Sequence, residues 1–261
     1  MGQNLVELAR SGGIVCAGGA GFPTAVKLDA TCDTVIVNGA ECEPLLRVDQ
    51  QLMVDKAEEM LETLAAVVEQ TGAKEGVVGL KKKYVPAINK LNTLLPKYPK
   101  LRLFILENFY PAGDEQTLVY EVTGKSVPEG GIPLNVGALV INVETLLNLY
   151  NMAEYDKPVI DSYITVTGAV RNPVTVLVPI GITVREALEL AGGPTIDDYA
   201  VINGGPMMGK IVSPDSQITK TTKGLIVLPK DARVIESKTR PVSRSIRDAA
   251  SACMQCSLCS E

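Results

Sequence analysis

Apolar and polar positions along this chain follow two different periods, and their order predicts an α/β layer followed by a smaller α+β unit. The β-branched run Thr34 to Asn38 (TVIVN) predicts a strand, and after a polar loop the positions from about Val48 to Glu69 take helical spacing. Gly76 to Leu80 predicts a second strand, Val85 to Leu95 a helix, Leu101 to Leu106 a third strand and Ala138 to Asn142 a fourth. Strands alternating with amphipathic helices point to a parallel sheet. In such a sheet ligands sit outside the carboxyl ends of the strands. Three unusual loops follow predicted strands: NGAECEP (Asn38 to Pro44), YPAGDE (Tyr110 to Glu115) and NVET (Asn142 to Thr145). Asn, Gly, Asp and Pro also make ordinary turns, so one such loop decides nothing. Three of them converging on one edge indicate a site.

From about Ser162 the period shortens. YITVTGAV and VTVLVPI alternate and are joined by RNP, which reads as a hairpin. Thr183 to Gly193 then has helical spacing, with Thr183 as N-cap and Gly192 as stop signal. Further short strands at AVINGG and GLIVLP complete a small β-grasp-like domain. For its glycine cluster, Asn203 to Gly209, the structural reading is preferred: paired glycines make tight turns, and Met207 and Met208 pack.

Composition narrows the chemistry. The 261 residues are 46% hydrophobic, enough for two cored domains. No run of about eighteen apolar residues and no secretory leader layout appears, so neither a membrane span nor export is expected and a cytosolic location follows by default. A net charge of −5 argues against a nucleic-acid role. The one dense basic run, Lys81 to Lys83, reads as a solvated helix start. Histidine is absent, which removes Ser-His and Cys-His nucleophiles and every His-containing metal site. Carboxylates, thiolates or a bound cofactor must carry the chemistry.

The segment GGAGFPTAVK (Gly18 to Lys27) places Gly18, Gly19 and Gly21 so that their backbone N–H groups stay open to a flat or phosphorylated ligand, with Lys27 as a point charge for a phosphate. Its spacing fits neither the dinucleotide fingerprint nor the P-loop. Glu41, Glu43, Asp114 and Glu115 crowd the partner loops, where carboxylates suit the ribose hydroxyls or amide of a nicotinamide nucleotide; salt bridges to Lys27 or Arg47 are the structural alternative. At the C-terminus CMQCSLCSE sets Cys253, Cys256 and Cys259 in the C-x2-C-x2-C spacing of a 4Fe–4S cluster, with zinc as runner-up. The chain stops at Glu261 without a fourth cysteine, so the ligand set is incomplete and the chain reads as truncated. Cys16, Cys32 and Cys42 read as small packed hydrophobes.

Together these residues resemble the flavin-carrying subunit of respiratory complex I and its relatives. That group has a GGAGFPT-x-x-K segment, an N-x-x-E-x-E-P loop, a G-D/E-E loop and an N-V-E-T segment, matched here by Gly18 to Lys27, Asn38 to Pro44, Gly113 to Glu115 and Asn142 to Thr145. Within the group, VNGAECEPLLRVDQQLM, INGGPMMG and TKTTKGLIVLPK look most like the cobalamin reductase branch of propanediol-utilisation microcompartments, and next like the C subunit of the Rnf ion-translocating complex.

The resemblance implies a Rossmann-like parallel-sheet FMN/NADH domain (1–155), a β-grasp domain of the soluble-ligand-binding type (156–235) and the start of a truncated ferredoxin module (236–261). It also implies that Gly18, Gly19, Gly21 and Lys27 line FMN, that Asn38, Asp114 and Asn142 hydrogen-bond it beside Gly113, and that Glu41, Glu43 and Glu115 hold NADH, with Phe22 stacking on a nucleotide ring. Ala17, Ala40 and Ile141 depart from the complex I pattern.

The implied cofactors are FMN, NADH and 4Fe–4S clusters. The implied partners are a corrinoid or its adenosyltransferase, with shell proteins of a bacterial microcompartment in the cytoplasm. An Rnf-type or amino-acid-reductase-linked electron-transfer protein is the first rival reading. A non-catalytic ligand-binding module is the second.

Overall fold

Four strands share the first sheet: β1 (Thr34–Gly39), β2 (Glu75–Lys81), β3 (Leu101–Leu106) and β4 (Ala138–Asn142), in the order β3-β2-β1-β4 with every pairing parallel. The computed structural model describes residues 4–17 and 19–256. Helices α1 (Leu5–Ser11) and α2 (Thr24–Leu28) precede β1, and α3 (Val48–Asp55), α4 (Ala57–Gln70), α5 (Val85–Leu94), α6 (Glu115–Thr123) and α7 (Val143–Tyr155) connect or follow the strands.

Both faces of β1, β2 and β4 are covered, which explains why these read as near-continuous apolar runs, while the edge strand β3 exposes Arg102 and Ile105. Val35 and Val37 of β1, with Leu139 and Ile141 of β4, face a large core that also contains residues of α1, α3, α4, α5 and α7. Ile36, Ala138 and Val140 point the other way, against Leu118 and Val119 of α6. The two-residue period of a strand does this sorting. The expected single helix from Val48 to Glu69 is two helices. Lys56 sits between them at φ −125°, ψ 29°, outside helical geometry, and its ammonium turns back to Glu59. Periodicity hides the break because α3 and α4 both face the same core.

The chain enters the second sheet after α7. β5 (Asp161–Gly168) and β6 (Val174–Pro179) form the expected hairpin, followed by α8 (Val184–Glu189), β7 (Tyr199–Asn203), β8 (Lys210–Val212) and β9 (Gly224–Pro229). Strand order is β6-β5-β9-β7-β8, with β5 and β9 parallel at the centre and the other pairings antiparallel, a β-grasp arrangement. Thr183 caps α8 through a full capping box: its hydroxyl accepts from Glu186 N–H while the Glu186 carboxylate accepts from Thr183 N–H. Thr183→Ala should therefore cost about 1 kcal/mol, read as a lower urea midpoint at unchanged slope. α9 (Arg233–Thr239) and α10 (Val242–Ala252) complete the described chain. Among the described residues no helix is long and apolar enough to cross a membrane.

Two readings of the sequence are corrected here. Lys81 does not open a solvated helix: it ends β2, is only 5% exposed, and its ammonium donates to the Glu41 carbonyl at 2.9 Å. A lysine at a strand's carboxyl end can lay its stem along the core and spend its charge on a loop carbonyl. Met207 and Met208 do not pack inside; both are exposed, because the backbone of their turn, not its side chains, is what the fold engages.

Candidate functional site

Strand order sets the position of the site. β1 connects outward to β2 and β3 on one side while β4 lies on the other, so the direction of winding reverses between β1 and β4. Loops leaving the carboxyl ends of two such strands diverge and leave a crevice. The Asn38 to Pro44 loop leaves β1 and the Asn142 to Thr145 segment leaves β4, on the two sides of that crevice.

The loop after β3 closes down on the first. Asn38 Nδ2 donates to the Gly113 carbonyl at 2.7 Å, and Gly113 N–H donates to Cys42 Sγ at 2.9 Å. A Cβ on Gly113 would overlap the Ala40 carbonyl, so only glycine permits this approach. Asp114 caps α6, its Oδ1 accepting from Gln116 N–H and Thr117 N–H. Asn142 caps α7 through Oδ1 and donates from Nδ2 to Asp49 at 3.0 Å. Asn38 and Asn142 thus hold the loops as well as face the crevice, whereas Asp114 lines neither cavity and serves as the α6 cap.

The glycine segment forms the outer wall. Cys16 N–H donates to the Phe22 carbonyl, and Ala17 N–H donates to the buried Thr145 hydroxyl at 3.0 Å. Gly19 and Gly21 take φ of 72° and 67°, left-handed geometry; the space beside Gly19 is open, whereas Gly21 sits against the Thr221 methyl and lines neither cavity. Gly18 lies outside the described residues. Lys27 reaches inward from α2, donating to the Val140 carbonyl at 2.9 Å and pairing with Glu115 at 3.1 Å, with its ammonium 5.8 Å from the centre of the Phe22 ring. The ion pair with Lys27 raised as an alternative is therefore made by Glu115.

Two adjoining cavities result. One of about 450 Å3 is mostly apolar and lined by Gly19, Phe22, Lys27, Glu115, Ile132 and Leu139, among others. The other, about 250 Å3, is lined by Asn38, Glu41, Asp49, Gly113, Asn142 and Lys223, among others. Cys16, Gly19, Glu115 and Val140 line both.

Glu41 is mostly buried; its Oε1 accepts from Glu43 N–H at 2.8 Å, and burial, reinforced by the Asp49 charge, pushes its carboxyl up to about 7. Glu43 turns away to the second domain, accepting from Met207 N–H at 2.9 Å and Met208 N–H at 2.5 Å. Lys238 donates to the Met207 and Gly209 carbonyls from the other side. The three scattered cysteines are half-buried: Cys32 packs against the large core as expected, whereas Cys16 and Cys42 line the smaller cavity, and burial pushes the Cys16 and Cys32 thiols up.

The floor of the smaller cavity carries no signal in the sequence. Lys223, just before β9, crosses from the β-grasp domain and pairs with Asp49 at 3.1 Å and Glu144 at 2.6 Å, all three buried. Burial alone would lower its pKa, but the two carboxylates outweigh that and hold it above the usual lysine range. Glu144 also accepts from Ser162 Oγ and Tyr163 N–H. Lys223 and Asp49 stand 174 positions apart, and no local pattern marks either.

Cys253 and Cys256 are exposed just beyond α10, and Cys259 lies outside the described residues. Among the described residues no three His, Cys, Asp or Glu side chains gather as a metal site.

The model of the Nuo51 FMN-binding domain family matches residues 9–151, more than half of the chain. The chain belongs to this family. The FMN-binding family segment includes every loop of the crevice, and an SLBB domain model matches residues 163–210 in the β-grasp unit. Cobalamin reductase PduS of Citrobacter freundii is 47% identical over 260 residues, 99% of this chain and 57% of that protein. The C subunit of the Na(+)-translocating ferredoxin:NAD(+) oxidoreductase complex of Acetobacterium woodii is 35% identical over 236 residues, 88% of this chain and 53% of that one. The chain thus spans a little over half the length of these relatives of its family. An NAD+-reducing NiFe-hydrogenase structure superposes with a TM-score of 0.71 at 21% identity, covering 86% of this chain and 46% of that one, which confirms the α/β fold with its second sheet.

Proposed function

We propose that this chain is the flavin- and NADH-binding part of an oxidoreductase that moves electrons from NADH through FMN towards a corrinoid. One observation carries the reading: all four motif loops meet at a single crevice where the sheet reverses direction, between a glycine wall and Lys27. The residues fit FMN. The larger cavity is within the range of about 300–1,000 Å3 usual for ligand pockets. Its apolar walls suit a flat ring, and Lys27 supplies the cation a phosphate needs once it exchanges Glu115 for that ligand.

Bound FMN would supply the conversion between a two-electron donor and one-electron acceptors. The protein's part is to orient and to exclude water: Gly19 and Gly113 allow backbone approach, Asn38 and Asn142 fix the loops, and Phe22, 46% exposed, offers a stacking face at the mouth. Glu41 and Glu115, which line the cavities, would serve NADH, whereas the Glu43 carboxylate is already taken by the Met207 and Met208 amides. Cys253, Cys256 and Cys259 would begin the ligand set of a 4Fe–4S cluster. The corrinoid, its adenosyltransferase and a microcompartment setting are favoured by the 47% identity to cobalamin reductase PduS. An Rnf-type acceptor is the second reading, supported by the Acetobacterium woodii relative.

FMN titration followed visibly, then anaerobic NADH, tests the proposal. Saturable uptake and bleaching of the flavin band are expected, and Lys27→Met should weaken FMN about 10- to 100-fold through loss of one charge-assisted contact. A chain that takes up no FMN would instead be a ligand-binding module, and the reading would fall.

A further inference from the structure

We infer that the β-grasp domain completes the cofactor cavity, and that the buried Asp49–Lys223–Glu144 triad sets the reduction potential of the flavin held there. The inference rests on the flavin reading above and adds a part to it. Its basis is a juxtaposition across two domains. Asp49 and Lys223 both line the smaller cavity, between Asn38 of one motif loop and Asn142 of another. Asn142, which faces the crevice, donates directly to the Asp49 carboxylate.

Further contacts, outside the lining of this cavity, fasten the second domain to the first. Glu43 accepts from the Met207 and Met208 amides, Lys220 Nζ donates to the Gly13 carbonyl at 2.6 Å, and Arg47 N–H donates to the Thr165 hydroxyl at 3.1 Å. Leu46 packs into the apolar cluster of Ile202, Ile226 and Ile235 beside it. A mobile appendage would not be fixed at so many points, so Lys223 is held in place on the cavity wall.

Two carboxylates against one ammonium leave the triad with a formal charge of −1, shielded from water. Two-electron reduction of a flavin with uptake of one proton adds a negative charge to its ring system. An unneutralised carboxylate on the cavity wall opposes that charge, and the protein interior screens it weakly. The triad therefore lowers the potential, as a donor to a difficult acceptor requires. Asp49, on the cavity wall, carries the larger effect; Glu144 does not line the cavity and acts mainly by fixing Lys223.

Anaerobic dye titration of the FMN-loaded chain reads the potential directly. Asp49→Asn, which removes one negative charge with little change of shape, should raise the equilibrium constant for reduction about tenfold, some 30 mV for a two-electron couple. Lys223→Gln should move it the opposite way, and Glu144→Gln should give a rise smaller than that of Asp49→Asn. If Lys223→Gln does not fold, the two carboxylate variants still decide. Potentials equal to wild type in both, with only stability or FMN affinity changed, would make the triad purely structural and overturn the inference while the flavin reading stands. A wild-type chain that binds no FMN overturns both.

Discussion

Lys223→Met is expected to destabilise the folded chain by about 3–5 kcal/mol, the cost of leaving buried charge without its partner. The side chain is buried, and its ammonium contacts both Asp49 and Glu144. Methionine matches the stem but offers no counter-charge, so two carboxylates would face each other with little access to solvent. Chemical unfolding followed by circular dichroism measures the loss, and for a chain of this size the melting temperature should fall on the order of 10 °C. The same substitution made where Asp49→Asn and Glu144→Gln are already present should cost much less, because no uncompensated charge remains. Equal costs in the two backgrounds would mean that packing, not ion pairing, holds Lys223.

Glu41→Gln is expected to abolish a pH dependence that the unsubstituted chain shows between about pH 4.5 and 7. Burial first, then the neighbouring Asp49 charge, raise the Glu41 carboxyl from its ordinary 4.5 to about 7. The folded state therefore holds this proton where the unfolded state has released it. Below pH 4.5 both states are protonated and nothing is lost. As pH rises through the window, ionising Glu41 in the fold costs progressively more, and above 7 the full penalty of roughly 3 kcal/mol applies. Stability measured at pH 5 and pH 8 should differ by less in Glu41→Gln, with the variant the more stable of the two proteins at pH 8. An unchanged difference would place the responsible group elsewhere. The Lys81 ammonium and the Tyr84 hydroxyl both donate to the Glu41 carbonyl, so the loop itself should keep its position in the variant.

Local chemistry makes much of the architecture legible. Thr34 to Asn38 and Ala138 to Asn142 read as strands because parallel strands buried on both faces need a near-continuous apolar run, Leu101 to Leu106 because its apolar residues outlast one exposed arginine at the sheet edge, and the observed strands match all three within a residue. Thr183 and Gly192 bound α8 because capping oxygens and left-handed glycines act within one turn. The crevice loops are legible for the same reason: Asn, Gly, Asp and Pro after a strand mark where a chain leaves a sheet.

What local pattern misses is decided by partners distant in sequence. Lys81 reads as solvated, yet the Glu41 carbonyl takes its charge, and Lys56 reads as mid-helix because both helices it separates face one core. Glu43 carries no sign that the Met207 and Met208 amides take its carboxylate. Lys223 in TTKGLIVLP looks like any strand-edge lysine.

The order of strands and helices, the motif loops and the caps could be read from the chain alone, since each depends on residues within a few positions of one another. Which charges are buried, and against which partners, is settled by packing. Loss of water turns an ordinary carboxylate or ammonium into a costly one, and whether water is lost depends on segments that meet only when the β-grasp domain packs onto the parallel sheet.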